Sequence, residues 1–391
     1  MNTGFFNPPE GTDLSNWRES PYSRWTFQNV RELIPSAVIA ARTNASPIPQ
    51  ALGKTPDLSG LHPYEDAGLE AFLVDTHTDS LVILHRGNKV WQWQADHCDR
   101  SRPHIVFSVS KSISAMLAGI LVDQGAVEVD RTVSHYLPGT RDSAYADCTV
   151  QHVLDMTVAL DFKEEYLNPS GDYFRYRNAT GWNPVDQTKG RNALEVFLYS
   201  LGKADFEHGE IFNYKSPNSD LLGLLIERAG GMSFAELLSE YIWQPMGAES
   251  DGYVTVDREM LARAAGGICI TIDDLARFGD LVMNQGAIGG TQIIPQGWIT
   301  DTLTQSNPVA WSKGDMINLL PKGAYRNKWY QIGDSDRCFM ALGIHGQWLY
   351  VNPATSVVIA KLSSQPDPVN ETLDLQHLKV FNHLSKGFSW T

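Results

Sequence analysis

Hydrophobic and polar positions change their spacing several times along the chain, and each spacing predicts a kind of element. Between residues 109 and 121, apolar side chains recur at i, i+4, i+7 and i+8, which predicts a buried helix. Short apolar runs at 71–75 and 81–85 predict two strands. The turn at 86–89 leads into the alternating stretch 90–93, which predicts an antiparallel hairpin with one buried face.

The pattern becomes mostly helical between about residues 127 and 268. Thr149 is a predicted N-cap, and Ser233 opens a capping box before a further helix. The helices predicted from apolar spacing in this segment are 150–156, 193–201 and 219–228.

Strand patterns return near the C-terminus, at 340–344, 348–351 and 357–362, before a final predicted helix at 373–384. Strands at both ends of the chain with helices between them predict a sheet assembled from distant segments. The helical segment then forms an insertion or a second subdomain. Aromatic residues such as Trp17 and Trp25 predict that the N-terminal arm is anchored by burial.

Composition narrows the classes of protein that fit this pattern. The chain has 391 residues, of which 42% are hydrophobic and 19% are charged, a balance typical of globular proteins. Its formal net charge of −14 argues against a nucleic-acid partner, because phosphate binding needs a basic surface. No apolar run approaches the length of a membrane span and no secretory signal opens the chain, so we expect a cytoplasmic protein without a membrane partner.

The 4 cysteines are far apart and form no Cys-x-x-Cys pair, so neither a zinc site nor a disulfide framework is indicated. We expect free, buried thiols. The sequence also has no His-Glu-x-x-His motif, no phosphate-binding glycine loop and no Gly-x-Ser-x-Gly elbow. We therefore expect neither a metal nor a cofactor.

Candidate chemistry lies at the start of the helix predicted for 109–121. Ser108 and Lys111 are three residues apart and lie on the same side of its first turn, where the helix dipole favours developing negative charge. A serine there can attack a carbonyl if a nearby group takes its proton. Lys111 can take it only as the neutral amine, which requires burial or cationic neighbours to lower its pKa from about 10.4.

A second Ser-x-x-Lys sequence, Ser200 to Lys203, shows that this motif alone does not identify a nucleophile. The second copy stands at the glycine-broken end of an amphipathic run, not at the start of a buried helix. We interpret it as a solvated helix terminus.

Two further stretches offer partners for Ser108. Tyr214 could relay the serine proton if the cation of Lys111 lowered the tyrosine pKa, although a half-buried structural tyrosine is the simpler interpretation. Gly343 and Gly346 interrupt a predicted strand around His345, which indicates a close approach to the backbone. One explanation is that a substrate carbonyl approaches there, with backbone amides as oxyanion donors. The other is that the strand merely bends there.

In this order and at these separations, the stretches resemble the serine β-lactamase and D,D-peptidase superfamily, and within it the class C-like esterases. They are more similar still to the 6-aminohexanoate-dimer hydrolases, over essentially the whole chain. The sequences that carry the resemblance are Ser108-Val109-Ser110-Lys111-Ser112, Val153-Leu154-Asp155-Met156, Gly343-Ile344-His345-Gly346-Gln347 and Lys361-Leu362-Ser363-Ser364-Gln365-Pro366-Asp367-Pro368.

The resemblance implies a β-lactamase-like α+β fold, an antiparallel sheet flanked by helices with an inserted helical domain. The sheet domain would comprise residues 1–126 and 269–391, including an N-terminal arm of about 60 residues. The helical domain would comprise 127–268, with the active site between the two.

The resemblance also implies roles for the residues of the site. Ser108 would be the acylated nucleophile, Lys111 its proton partner, and Tyr214 the relay that protonates the leaving group and activates water. The backbone N–H groups of Ser108 and Ile344 would form the oxyanion hole. Because the Lys-Thr-Gly motif of β-lactamases is absent, either 341–343 or 345–347 could occupy its place.

Substrate contacts are assigned on the same basis. Tyr166 matches a tyrosine that contacts the scissile amide in the dimer hydrolases. The other predicted substrate-binding residues are Ser216, Asn218, Tyr330 and His345. Trp182 and Trp329 could line the cleft or belong to the core.

Departures from the family pattern bear on the substrate. The Tyr-x-Asn motif of class C enzymes is replaced by Tyr214-Lys215-Ser216, and the third motif lacks its lysine, so strong β-lactamase activity is not expected.

A second departure concerns the substrate amine, which an acidic side chain can hold in the dimer hydrolases. This chain has Arg175 and Arg177 in that neighbourhood. We infer a different substrate, which carries a carboxylate or a neutral acyl group. Acids at Glu164, Glu165 or Asp172 could still receive an amine.

The leading hypothesis is a serine hydrolase that forms an acyl-enzyme and cleaves short-chain carboxylic esters, with small linear amides as a further class. A D,D-peptidase or β-lactamase is the alternative enzyme, and a penicillin-binding-like receptor without turnover is the alternative outside catalysis. The expected partner is a small ester or amide substrate, and a homodimer is left open.

Overall fold

The computed structural model describes residues 7–64, 66–184 and 193–387. Its strands are β1 (Ser36–Ile39), β2 (Thr78–His85), β3 (Asn88–Gln94), β4 (His104–Ile105), β5 (Gly252–Thr255), β6 (Ile268–Ile270), β7 (Ala287–Ile288), β8 (Thr291–Gln292), β9 (Ala324–Arg326), β10 (Trp329–Gln331), β11 (Phe339–Gly343), β12 (Gln347–Asn352) and β13 (Val357–Ser363). Its α-helices are α1 (Ser23–Thr26), α2 (Gly68–Asp75), α3 (Val109–Asp123), α4 (Val133–Tyr136), α5 (Val150–Leu154), α6 (Asp172–Ala179), α7 (Leu194–Tyr199), α8 (Pro217–Gly230), α9 (Phe234–Leu238), α10 (Ile272–Met283), α11 (Gln296–Thr304), α12 (Pro308–Ser312) and α13 (Glu371–Gly387).

The largest sheet is antiparallel and has seven strands in the order β3-β2-β13-β12-β11-β10-β9. The predicted hairpin β2–β3 is therefore joined to the C-terminal strands by the pairing of β2 with β13. A second, four-stranded sheet has the order β1-β5-β6-β4. The prediction of a sheet assembled from distant segments is confirmed, whereas β9, β10 and the second sheet were not predicted.

Helices cover both faces of the seven-stranded sheet, which explains the continuous apolar run of β2 from Leu81 to Leu84. Val82 and Leu84 face the core that contains α3, α8 and α10. Leu81 and Ile83 face the other core, which is closed by α2 and α13. A strand buried on both faces has a continuous apolar run instead of an alternating one.

The strand predicted at 71–75 is wrong, because these residues belong to helix α2. Leu69, Phe72 and Leu73 are its buried side chains, and their spacing of i, i+3 and i+4 is helical. A short apolar run fits a strand and a helix equally well until its packing partners are known. Here the partner is the face of the sheet that carries Leu81 and Ile83.

Helix α3 is the buried helix predicted for 109–121. Its side chains from Val109 to Leu121 are buried, and it packs against α8 and the sheet. Gly119 permits the close approach of α11, since a Cβ there would lie 2.3 Å from the indole ring of Trp298. The same indole donates a hydrogen bond of 3.1 Å to the Ala115 carbonyl.

The N-terminal arm is anchored by aromatic burial, as predicted. Trp17 and Phe27 are fully buried, and the Trp17 indole donates to the Trp182 carbonyl at 3.1 Å. Both rings pack on Phe107, the residue before Ser108. Trp25 is only half-buried. The arm therefore supports the segment that leads into α3.

Helices α4 to α9 occupy the segment predicted to be helical, which also contains β5 and the first residue of β6. The division into two domains stays a prediction.

All four cysteines are free and buried, as expected. Among the residues that the model describes, none of the helices combines the length and the apolarity needed to cross a bilayer.

Candidate active site

Ser108 stands at the N-terminus of α3, immediately before its first helical residue. Phe107, which precedes it, has a φ of +42°, in the left-handed region that a bulky residue rarely adopts. The Phe107 ring is held by stacking on Trp17 and by an edge contact with Phe27 at 5.0 Å between centroids. Tertiary packing therefore maintains a sharp turn that leaves Ser108 half-buried at the wall of a cavity.

The side chain of Lys111 lies directly below Ser108. Its Nζ is 2.7 Å from Ser108 Oγ and 2.7 Å from the carbonyl oxygen of Ala265. Burial lowers the pKa of Lys111 to about 7, while the charges of Glu164 and Asp220 oppose this decrease. A substantial fraction of Lys111 is therefore the neutral amine near neutral pH, the form that can accept the serine proton.

An ion-pair network that the sequence analysis missed holds the Ala265 peptide in place. Asp220 on α8 and Arg263 are both buried and form a close salt bridge, to which the Tyr176 hydroxyl also donates. The other carboxylate oxygen of Asp220 accepts the Ala265 amide at 2.7 Å. Asp220 thus holds the amide of the same residue whose carbonyl accepts the hydrogen bond from Lys111.

Tyr214 is half-buried beside the same pair, with its ring centroid 5.1 Å from Lys111 Nζ. Burial raises its pKa, and hydrogen bonding with Ser108 only partly opposes the increase. The expectation that Lys111 lowers the Tyr214 pKa is therefore wrong, because burial has the larger effect. Tyr214 keeps its proton at neutral pH and is suited to donate one.

The turn between β11 and β12 approaches Ser108 from the opposite side. Gly343 permits this approach, because a Cβ there would lie 2.7 Å from the Val106 carbonyl oxygen. His345 and Gly346 follow with φ values of +60° and +82°. Across the described parts of the chain, the amides of Ser108 and Ile344 donate no hydrogen bond, so both are available to an oxyanion.

These groups surround a cavity of about 250 Å³. It is lined by Ser108, Tyr214 and Ile344, and by the predicted substrate-binding residues Tyr166 and Tyr330. The structure thus brings five of the predicted site residues to one cavity, with Lys111 beneath it.

Three acidic side chains line this cavity, of which the sequence analysis named only Glu164. Glu164, Asp315 and Asp374 line it, and it is lined by no Lys, Arg or His among the described residues. Burial raises the pKa of Asp374 to about 7, although the charge of Lys361 opposes the increase. The amide of Tyr214 donates to Asp315 at 3.2 Å.

Three predicted substrate-binding residues do not line this cavity. Ser216 is buried and donates its amide and its hydroxyl to Glu164. Asn218 is fully buried and its amide group faces the Met156 sulfur at 3.6 Å.

His345 is also buried, and its Nδ1 is 2.8 Å from the Gln365 carbonyl oxygen. Burial lowers its pKa to about 3, so it is neutral at physiological pH. Trp182 and Trp329 belong to the core.

The second Ser-x-x-Lys sequence lies away from this cavity. Ser200 and Lys203 are exposed at the end of α7, and Lys203 pairs with Asp147 at 3.1 Å, as expected of a solvated helix terminus. Within the described residues, no group of three or more His, Cys, Asp or Glu side chains is arranged to hold a metal.

The chain belongs to the β-lactamase family and has the fold of that family. The model of the Beta-lactamase family matches residues 69–380. The protein is accordingly a serine hydrolase of the β-lactamase fold.

The relatives include a dimer hydrolase and an esterase. The chain is 33% identical over 357 residues to the 6-aminohexanoate-dimer hydrolase of Paenarthrobacter ureafaciens, covering 91% of this chain and 88% of that protein. It is 29% identical over 160 residues to Esterase EstB of Burkholderia gladioli, covering 40% and 39% of the two chains. A solved structure from Bacillus anthracis, provisionally described as a 6-aminohexanoate-dimer hydrolase, has a TM-score of 0.87 at 24% identity over 97% of this chain and 99% of that one, which shows the shared fold.

Proposed function

We propose that the protein hydrolyses short-chain carboxylic esters, and small linear amides, through an acyl-enzyme formed on Ser108. The observation that carries the proposal is the 2.7 Å contact between the Ser108 hydroxyl and the buried amine of Lys111, whose pKa is lowered to about 7. A serine with an adjacent neutral base is an activated nucleophile. The esterase and amide-hydrolase names of the relatives support both substrate classes.

In the acylation step, Lys111 takes the hydroxyl proton while Ser108 Oγ bonds to the substrate carbonyl carbon. The electron pair displaced from the carbonyl moves to its oxygen, which the amides of Ser108 and Ile344 stabilise. Collapse of this intermediate breaks the bond to the leaving group, which takes a proton from Tyr214. Tyr214 recovers a proton from the ammonium of Lys111, so the proton taken from Ser108 ends on the leaving group.

Deacylation repeats the same exchange with water as the nucleophile. The Tyr214 hydroxyl relays the proton of the attacking water to the neutral amine of Lys111, and Lys111 returns a proton to Ser108 Oγ as the serine leaves. The acid product departs and the initial protonation states return. All the groups that this scheme needs are protein side chains and amides of the cavity.

Hydrolysis of p-nitrophenyl butyrate tests the proposal. We expect Ser108→Ala to lower kcat by at least about a thousandfold. Ser200→Ala, which changes the serine of the second Ser-x-x-Lys sequence, should retain wild-type kcat. An inactive wild type, or a Ser108→Ala variant as active as the wild type, would overturn the assignment. The same comparison with a p-nitroanilide tests the amide class.

A further inference from the structure

A second cavity, of about 710 Å³, adjoins the active-site cavity. Tyr166 and Pro368 line both. The turn after β11 separates them, since Ile344 and Gly346 face the first cavity and His345 faces the second. Tyr166 therefore lies at the boundary between the two cavities.

Two arginines that form no ion pair with a described residue line this second cavity. Arg177 on α6 is 8% exposed, and Arg18 of the N-terminal arm is half-buried. The Nε atom of each is buried without a hydrogen-bond partner. Across residues 7–64, 66–184 and 193–387, neither guanidinium has a hydrogen-bond acceptor or an ion-pair partner within bonding distance. Buried donors without acceptors are uncommon in proteins and indicate a ligand or ordered water.

Aromatic rings hold both guanidinium groups in position. Arg177 Cζ lies 5.7 Å from the Tyr173 ring centroid and 5.5 Å from that of Phe174. Arg18 Cζ lies 5.6 Å from the Trp17 ring centroid. Contact with an aromatic face leaves the N–H groups on the edge of a guanidinium free, and this edge matches the two oxygens of a carboxylate.

Two neighbouring arginines, in contrast, do form ion pairs. Arg263 is neutralised by Asp220, and Arg175, on the same helix as Arg177, pairs with Asp172 at the surface. Among the described residues that line the second cavity, the acidic side chain is that of the exposed Glu19, next to Arg18 in sequence. The second cavity therefore keeps an excess of positive charge.

We propose that the second cavity binds a carboxylate carried by the substrate, with Arg177 as the main contact and Arg18 as the second. This proposal rests on the ester and amide hydrolysis proposed above and defines its substrates as linear molecules with a terminal carboxylate. Glu164, Asp315 and Asp374 repel an anion in the first cavity, so the carboxylate must lie beyond Tyr166. The two cavities thus differ in charge, which fixes the direction in which a substrate extends.

Matched ester pairs test the proposal. One set consists of mono-p-nitrophenyl esters of straight-chain dicarboxylic acids with five to ten carbons, which carry the carboxylate on the acyl half. A second set consists of acetyl esters of ω-hydroxy acids, which carry it on the leaving group. Each anionic ester is compared with its neutral ω-methyl ester, and the set in which kcat/KM favours the anion identifies the half that occupies the second cavity.

The variants are Arg177→Gln, Arg18→Gln and, as the control on the same helix, Arg175→Gln. In the favoured set, Arg177→Gln should lower the anionic-to-neutral ratio of kcat/KM by about tenfold or more, because a charge-assisted hydrogen bond is lost. Arg18→Gln should lower it less, and Arg175→Gln should keep the wild-type ratio. The rate at which each variant hydrolyses the neutral ester also shows whether that variant is folded.

A binding measurement separates this proposal from the proposed function. Isothermal titration of Ser108→Ala with the monomethyl ester of a straight-chain dicarboxylic acid, which carries a single carboxylate, needs no turnover. We expect binding that Arg177→Gln weakens by about tenfold and Arg175→Gln retains. Hydrolysis of neutral esters with no anionic preference and no effect of Arg177→Gln would overturn the carboxylate site and leave the hydrolase intact. Binding of this monomethyl ester without any ester hydrolysis would overturn the hydrolase and leave the site intact.

Discussion

The side-chain nitrogen of Lys111 lies 2.7 Å from the hydroxyl oxygen of Ser108, within a pocket that removes the lysine from solvent. Burial lowers the pKa of Lys111 to about 7, which makes the amine a usable base near neutral pH. Burial destabilises the ammonium form of Lys111, and the neutral amine can accept the proton of Ser108. In the proposed mechanism, attack by Ser108 depends on this pair.

The pH dependence of hydrolysis should show a single acidic limb. The active form of Lys111 is the neutral amine, so kcat/KM should rise as the pH rises through about 7 and then level off. Because burial raises the Tyr214 pKa above its ordinary value near 10, no fall is expected below pH 10. The measurement is kcat/KM for a neutral ester from pH 5 to 10. A limb centred near 10 would show that Lys111 is not the base or is not desolvated.

Glu164→Gln should move that limb to lower pH. The charge of Glu164 raises the pKa of Lys111, and its removal lets burial lower the pKa further. Glutamine keeps an oxygen that can accept a hydrogen bond from Ser216. The exposed Glu240→Gln serves as the control and should leave the limb in place. A limb that moves to higher pH in Glu164→Gln contradicts this account of the site's electrostatics.

Gly343→Ala should impair catalysis through the backbone. The added Cβ would lie 2.7 Å from the Val106 carbonyl oxygen, so the turn that carries the Ile344 amide must move away from Ser108. Loss of one oxyanion donor lowers kcat by about a hundredfold or more. Gly297→Ala is the matched control, since its Cβ meets no atom within 4 Å. Wild-type kcat in a correctly folded Gly343→Ala would remove the Ile344 amide from the mechanism.

Asp220→Asn should destabilise the fold, because it leaves the buried guanidinium of Arg263 without its counter-charge. Breaking a buried pair in this way costs about 3–5 kcal/mol of unfolding free energy. Asp147→Asn removes an exposed carboxylate that pairs with Lys203 and His208, and it should lower the unfolding free energy far less than Asp220→Asn does. Urea unfolding followed by circular dichroism compares the two variants. Equal losses in both would indicate that the Asp220 network does not support the structure.

Within the site, the sequence predicts the contacts between residues that are close together in the chain. Ser108 and Lys111 are three residues apart on one helix, so their proximity follows from helical geometry and from the apolar pattern of α3. The two copies of Ser-x-x-Lys were also distinguished correctly by context, because Ser200 precedes a glycine at the exposed end of α7.

Relationships that depend on tertiary packing could not be predicted. Asp220 and Arg263 are distant in the sequence, and no local pattern indicates that they meet below Lys111. Ser216 and Asn218 follow Tyr214 closely, yet the start of α8 turns both into the interior. For the same reason, the apolar run at 71–75 could be assigned to a helix only once its packing partners were known.

The most direct test of the central claim is the site of acylation during turnover. The protein is mixed with p-nitrophenyl butyrate, quenched in acid within milliseconds, digested, and mapped by mass spectrometry. We expect a butyryl group on the peptide that contains Ser108, formed together with a burst of p-nitrophenol and absent from Ser108→Ala. A butyryl group on a different residue, or turnover of Ser108→Ala at the wild-type rate, would contradict an acyl-enzyme at Ser108.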